Sequence, residues 1–173
     1  MSLYDNIIDI LKGLGIKYQE INHEESHSCE QSKKFRDEAG LDGLGSKNIV
    51  FHAKGRFYIL TTYGDKQIKA RNFKHEFGTK DIRFASQDEI FDEISGKIGS
   101  IPPFGFENET IPVFVDAEIF DSEFFMFNPG NPEKSIRIST DDLKEIYSKM
   151  KNPIRYFIHS EEDFRILEDL SSR

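Results

Sequence analysis

The sequence predicts an α+β fold, a mixed and curved β-sheet surrounded by helices, on three observations. Runs rich in β-formers alternate with amphipathic helical stretches, but without the regular strand–helix–strand rhythm of a doubly wound parallel sheet. Two of those runs, residues 47–52 and 56–63, are separated by a Lys54-Gly55 turn and read as an antiparallel hairpin. Sixteen phenylalanines and six tyrosines with no tryptophan, in 173 residues that are 37% hydrophobic, supply a core built largely on Phe. That length suits one well-cored domain and is short for two, so residues 1–173 are read as a single domain.

In chain order, Ser2 with Asp5 makes a capping-box-like start, and Leu3, Ile7, Ile10, Leu11 and Leu14 recur at helical spacing until Gly13 and Gly15. Residues 16–21 read as a short strand, followed by a polar connection. His23, Glu24, Glu25 and His27 lie in it, but their spacing matches no metal-site pattern, and they are read as a solvated loop. Ser28 with Gln31 begins a second helix that Gly40 closes. Gly43-Leu44-Gly45-Ser46 is expected to be a flexible turn, which sets Lys47 at the mouth of the hairpin.

Beyond Gly64-Asp65, residues 68–77 are expected to be helical and 81–84 a short extended run. Ser86 with Glu89 caps a helix whose apolar face is Ile90, Phe91 and Ile94 and whose stop is Gly96. Strands are expected at 111–116, 123–127 and 135–138, with Asn128-Pro129-Gly130-Asn131-Pro132 as a compact turn. Ser139 with Asp142 caps a helix holding Leu143, Ile146, Tyr147 and Met150. A strand at 154–158 and a last helix at 160–170 complete the chain.

Charge narrows the function classes. A net charge of −8 argues against non-specific nucleic-acid binding by the whole surface. Between Lys47 and Lys74, however, seven bases stand against the single acid Asp65. Such an island suits a binder of one particular polyanion, or the solvated edges of strands and a helix. No apolar run approaches the length of a membrane span, and the N-terminus lacks a signal-peptide pattern, so a cytoplasmic protein is expected. The lone Cys29 allows no internal disulfide and no thiolate cluster for zinc.

The stretch with the most distinctive chemistry is Gly99-Ser100-Ile101-Pro102-Pro103-Phe104-Gly105. The double proline stiffens it, and the remaining amides at Gly99, Ser100 and Ile101 suit either an ordinary turn or a cradle for a carbonyl oxygen or phosphate. Lys47 reads either as an edge charge in solvent or as an ammonium held over a pocket. No Ser-His-Asp or Cys-His arrangement is apparent.

Gly45-Ser46-Lys47-Asn48 before the hairpin, Arg83-Phe84-Ala85-Ser86 before a capped helix, the Gly99 to Gly105 loop, Asn108 and Asp116 stand in one order. In that order and spacing, over about residues 18–150, the chain resembles the YbaK/ProRS-associated domain family of free-standing aminoacyl-tRNA deacylases. The resemblance implies a barrel-like mixed sheet. It also implies that mischarged aminoacyl-tRNA is hydrolysed by water, with no covalent protein nucleophile and no cofactor or metal. By the same resemblance Lys47, Gly99, Ser100 and Ile101 are the catalytic candidates, and Pro103, Phe104, Asn108, Asn128, Lys69 and Arg71 the substrate-binding ones. The partner implied is the acceptor end of aminoacyl-tRNA, with prolyl-tRNA synthetase as a second. Phe104 to Asn108 and Phe127-Asn128-Pro129 look most like alanine-specific members, which implies Ala-tRNA(Pro) as substrate and a role in translation fidelity. Those members usually carry histidine where Asn128 stands. The competing class is a non-catalytic tRNA- or synthetase-binding module that keeps the fold.

Overall fold

The computed structural model describes residues 2–172. In chain order the elements are α1 (Leu3–Gly13), β1 (Gln19–Asn22), α2 (Cys29–Glu38), β2 (Leu44–Ala53) and β3 (Arg56–Tyr63). A 3-10 turn (Ala70–Phe73) then leads into the short α3 (Lys74–Phe77), followed by β4 (Arg83–Phe84), α4 (Gln87–Ile94) and β5 (Val113–Asp116). After a 3-10 turn (Ala117–Asp121) come β6 (Phe124–Phe127), β7 (Lys134–Ser139), α5 (Thr140–Lys149), β8 (Ile154–His159) and β9 (Phe164–Leu167).

The helix starts follow local side-chain chemistry. Ser2, Ser28, Ser86 and Ser139 each accept the amide of the residue three positions on, which satisfies a donor the helix itself leaves free. At Ser2 and Ser86 an acid three residues later returns the bond, completing capping boxes. The hairpin turn also follows from its residues: Lys54 and Gly55 both take positive φ, 52° and 71°, as a tight two-residue connection requires.

The strands form one mixed sheet in the order β1-β7-β6-β2-β3-β5-β8-β9, with β4 added on β2. The pairs β2/β6, β3/β5 and β5/β8 are parallel and the others antiparallel. The sheet is curved but open, because β1 and β9 end the path unjoined. Its second edge along β2 is split: β6 pairs with Leu44 and Gly45, β4 with Phe51 and His52, and neither strand pairs with residues 46–50. That split is where Lys47 and Asn48 lie beside Gly99 and Ile101.

One core layer packs α1, α4 and α5 on the sheet through Ile7, Leu11, Ile90, Phe104, Phe127 and Leu143. The other is aromatic, with Phe73 meeting Phe114, Phe157 and Phe164 edge-on at centroid distances of 5.7, 5.3 and 4.8 Å. Each fully buried phenylalanine contributes about 1.5–3 kcal/mol relative to exposure.

Three sequence expectations are corrected. Residues 43–46 are not a flexible turn, since β2 already runs from Leu44, which pairs with Phe125. The first strand begins three residues later than expected, at Gln19. The last segment is not a helix: Ser160 N bonds the Asp163 carbonyl in a tight turn, and β9 returns antiparallel to β8. Of residues 68–77, Ala70 to Phe77 form the expected helical stretch as a 3-10 turn running into α3.

Candidate functional site

Lys47 is the fourth residue of β2 rather than its first, and its Nζ donates to the Lys66 carbonyl oxygen at 3.1 Å. Lys66 is itself fixed from below. Its Nζ reaches Asp116 Oδ2 at 2.7 Å, and the wholly buried Asp116 also accepts the Thr62 hydroxyl at 2.7 Å and the Glu118 amide at 3.1 Å. A buried ion pair thus sets the height of the carbonyl that holds the Lys47 ammonium.

The Gly99 to Gly105 loop approaches the split edge of β2 and is held by alternate carbonyls. Ile101 O accepts from Asn48 Nδ2 at 2.9 Å, Pro103 O from the Tyr147 hydroxyl at 2.9 Å, and Gly105 O from Asn6 Nδ2 at 3.3 Å. Three elements, β2, α5 and α1, therefore fix one loop, in addition to the stiffness of Pro102-Pro103. The Ser100 amide is spent on the Lys97 carbonyl at 3.0 Å, and its buried hydroxyl turns to the same oxygen. The amides of Gly99 and Ile101 make no hydrogen bond to the other described residues.

Lys47, Asn48, Gly99 and Ile101 together form the wall between two adjoining cavities. The first, about 290 Å³, is apolar, with Val50, Ile68, Ala85 and Ile90, and with Phe84 and Ile98 at its opening. Phe84 is 69% exposed and Ile98 57%, yet the Phe84 ring stacks on Phe51 at 5.4 Å, so it is a fixed platform rather than a loose side chain. The second cavity, about 200 Å³, is polar, with Cys29, Ser32 and Arg36 from α2, Ser46, and Asn128 after β6. Two roomier cavities of about 540 Å³ each lie elsewhere and contain none of these wall residues.

Of the residues singled out from sequence, Lys47, Gly99, Ile101 and Asn128 line this two-lobed space. Ser100 sits in its wall with its polar groups turned away. Pro103 and Phe104 are buried behind it, and Phe104 belongs to the core, 5.2 Å from the Phe127 ring. Asn108 is remote from Lys47: it meets Glu93 at 3.3 Å and lines the space beside Thr110 and Arg155. Lys69 and Arg71 are exposed, just past Gln67 and Ile68 of the apolar lobe, and the Lys69 amide is tied to His159 Nε2 at 3.2 Å.

Arg36 is the residue that sequence reasoning missed. It is the only buried residue of α2, and burial pulls its guanidinium below its ordinary pKa. Its guanidinium lies against the bare backbone of Gly45, where a Cβ would run into Nη2. The proximity of a glycine to a charge nine residues earlier is not visible in local sequence.

A family model described as the aminoacyl-tRNA editing domain matches residues 23–146. The prolyl-tRNA editing protein ProX of Acetoanaerobium sticklandii is 24% identical over 153 residues, covering 86% of this chain and 93% of that protein. The multifunctional Ser/Thr-tRNA deacylase ProXp-y of Escherichia coli is 27% identical over 149 residues, covering 83% and 87%. The crystal structure of a candidate trans-editing enzyme for prolyl-tRNA synthetase shares the fold, with a TM-score of 0.70 at 16% identity over 92% of this chain and 99% of that one.

Proposed function

The chain belongs to the aminoacyl-tRNA editing domain family and is an aminoacyl-tRNA deacylase, and on that premise we propose that it acts in trans, clearing a small amino acid from mischarged tRNA at the Lys47 wall. The observation that carries the proposal is the shared wall: an ammonium and two unspent backbone amides border one space with an apolar and a polar lobe.

Ester hydrolysis builds negative charge on the carbonyl oxygen. Fixed donors at that oxygen lower the barrier by about 3–4 kcal/mol each. The Gly99 and Ile101 amides and the remaining protons of Lys47 are the donors available here. In this reading the ester lies across the wall, the terminal adenosine enters the apolar lobe against Phe84, and the amino-acid side chain enters the polar lobe. Water is the attacking group. His27 borders the polar lobe, yet no hydrogen bond joins its ring to Ser28, Cys29, Ser32 or Ser46 among the described residues, so no histidine-activated nucleophile is assembled. The exposed Lys69 and Arg71 continue from the apolar lobe and suit contacts to acceptor-end phosphates.

Alanine on proline tRNA, the substrate expected from sequence, is within the size of the polar lobe, and so is serine. The 173 residues are taken as one editing domain of the cytoplasm, working beside prolyl-tRNA synthetase. Among the described residues no helix is long and apolar enough to cross a membrane. The test is a panel of mischarged tRNAs incubated with the wild type and with Lys47→Ala. Hydrolysis of at least one ester, lowered by about a hundredfold or more in the variant, supports the reading. Tight tRNA binding with every ester intact replaces it with a binding module.

A further inference from the structure

After β3 ends at Tyr63 the chain runs without strand or helix until Ala70, and two side chains of the sheet hold that span. Asp116, the last residue of β5, takes the Lys66 ammonium at 2.7 Å. His159, the last residue of β8, takes the backbone three residues on: its Nε2 accepts the Lys69 amide at 3.2 Å and lies 3.3 Å from Asn72 Nδ2. Since β5 and β8 are parallel neighbours, both anchors stand at the same end of the sheet. Gln67 and Ile68 hang between them, with no backbone hydrogen bond to other described residues, and line the apolar lobe. The Lys66 carbonyl, at the near end of the same span, holds Lys47 Nζ.

The second anchor is conditional on the state of one nitrogen. A backbone amide only donates, so the ring nitrogen that faces Lys69 carries no proton. A proton added there sets donor against donor. Asn72 can turn its amide oxygen to that proton, but the Lys69 amide has no acceptor to offer in exchange. The ring is 5% exposed, so solvent does not make good the lost bond. Lys66 and Lys69 oppose a charge on the ring and Asp116 favours it, while β9 meets it with the Phe164 ring, edge-on at 5.9 Å.

We infer that His159 is a positioning residue for the hydrolysis: neutral, it holds the span from Lys66 to Lys69 against Lys47 and the apolar lobe, and protonated, it lets that span go. This rests on the reading of the Lys47 wall above and adds a control to the same site. His159 touches neither wall nor lobe and acts through the Lys69 amide, from a strand more than a hundred residues beyond Lys47. Burial first, and then the Lys66 charge, hold its pKa below the ordinary histidine value, so the release belongs below about pH 6.5.

The experiment measures kcat and KM on one mischarged tRNA that the wild type hydrolyses, for the full chain, His159→Leu and His159→Gln, from about pH 7.5 to about pH 5, a window that brackets the ordinary histidine value. Circular dichroism at each pH confirms that each protein is folded. His159→Leu, which offers the Lys69 amide no acceptor, is expected to lose about tenfold or more in kcat at every pH, as a displaced catalytic group does. His159→Gln, whose Oε1 accepts without titrating, recovers most of that loss. Dividing wild type by His159→Gln removes the titration of the substrate and of every other group, and this ratio is expected to fall by about threefold or more towards pH 5. In the labelled wild type the Lys69 amide resonance moves with the same midpoint. A ratio that stays flat, a His159→Leu as active as wild type at neutral pH, or a Lys69 resonance that does not titrate overturns the inference. With the wild type still hydrolysing its ester, each of those results leaves the deacylase reading standing and removes this inference alone. If the wild type hydrolyses no ester, the deacylase reading falls first and this inference with it. Should His159→Leu fail to fold, the ratio to His159→Gln and the Lys69 resonance decide.

Discussion

Asn48 Nδ2 donates to the Ile101 carbonyl oxygen at 2.9 Å, and this bond fixes the separation between the strand that carries Lys47 and the loop opposite it. Asn48→Ala removes the tie. The expected result is a fall in kcat of about tenfold with a small change in KM, and a stability loss of about 1 kcal/mol, the usual worth of one such bond. Single-turnover deacylation and urea unfolding check the two parts. Asn48→Asp sets an acceptor against the carbonyl and is expected to be worse than alanine.

Asp116 holds Lys66, and the Lys66 carbonyl holds Lys47. Removing the carboxylate in Asp116→Ala leaves the largely buried Lys66 ammonium with Glu118 alone, at 3.3 Å, as counter-charge, and leaves the Thr62 hydroxyl without its acceptor; it is expected to cost about 3 kcal/mol. Deacylation should fall with it. The double replacement Asp116→Leu with Lys66→Met is expected to recover much of the stability without recovering the activity, because the segment carrying the Lys66 carbonyl is no longer anchored. Denaturant unfolding and initial rates on the three proteins separate the two effects.

Phe84 presents an exposed ring that is already stacked on Phe51, a ready platform for a nucleotide base. Base stacking on an aromatic side chain is worth about 1–3 kcal/mol. Phe84→Ala should therefore raise KM for aminoacyl-tRNA by about tenfold, leave kcat close to wild type, and leave hydrolysis of a free aminoacyl ester untouched. A loss confined to kcat would place the base elsewhere.

His159 is buried, and its Nε2 faces both the Lys69 amide and the Asn72 side-chain amide, so the ring accepts there and is neutral. Desolvation first, then the nearby Lys66 charge, holds its pKa below the ordinary value. The unfolded chain thus takes up the proton more readily than the folded one. Stability from this group is complete above about pH 6.5 and declines as pH falls towards the lower folded value. Urea midpoints between pH 7.5 and 5 are expected to drop for the wild type and to flatten for His159→Gln, as conditions chosen to bracket that window.

Features governed by neighbours within a few residues were legible in the sequence. Ser2, Ser28, Ser86 and Ser139 cap their helices as their spacing predicts, and Lys54-Gly55 closes the hairpin. Lys47 and the Gly99 to Gly105 loop, singled out by residue type and the family resemblance, border the same cavities, and their roles remain part of the proposal. Features set across the sheet were not. Leu44 and Gly45 look like a turn because of the flanking glycine, yet they find parallel partners in Phe125 and Met126. Ser160 and Asp163 imitate a helix cap, but Phe164 and Ile166 pack on the aromatic layer as alternate residues of a strand. Asn108 stands near the loop in sequence, and the chain turns it toward Glu93. Arg36 reads as one more solvated charge in a polar helix, and the space its guanidinium occupies beside the bare backbone of Gly45 appears only in the fold.

The two halves of the cavity descend from different parts of the chain. Groups that would meet the ester come from β2 and the proline loop, while those that would meet the side chain come mainly from α2 and the turn after β6. Apart from Arg36, no residue of α2 is buried, so most of that helix is free to change its sequence without disturbing the core. If the wall is where the ester is cut, lineages built on this scaffold can inherit it intact and diverge in what they reject by drift along a single ten-residue helix.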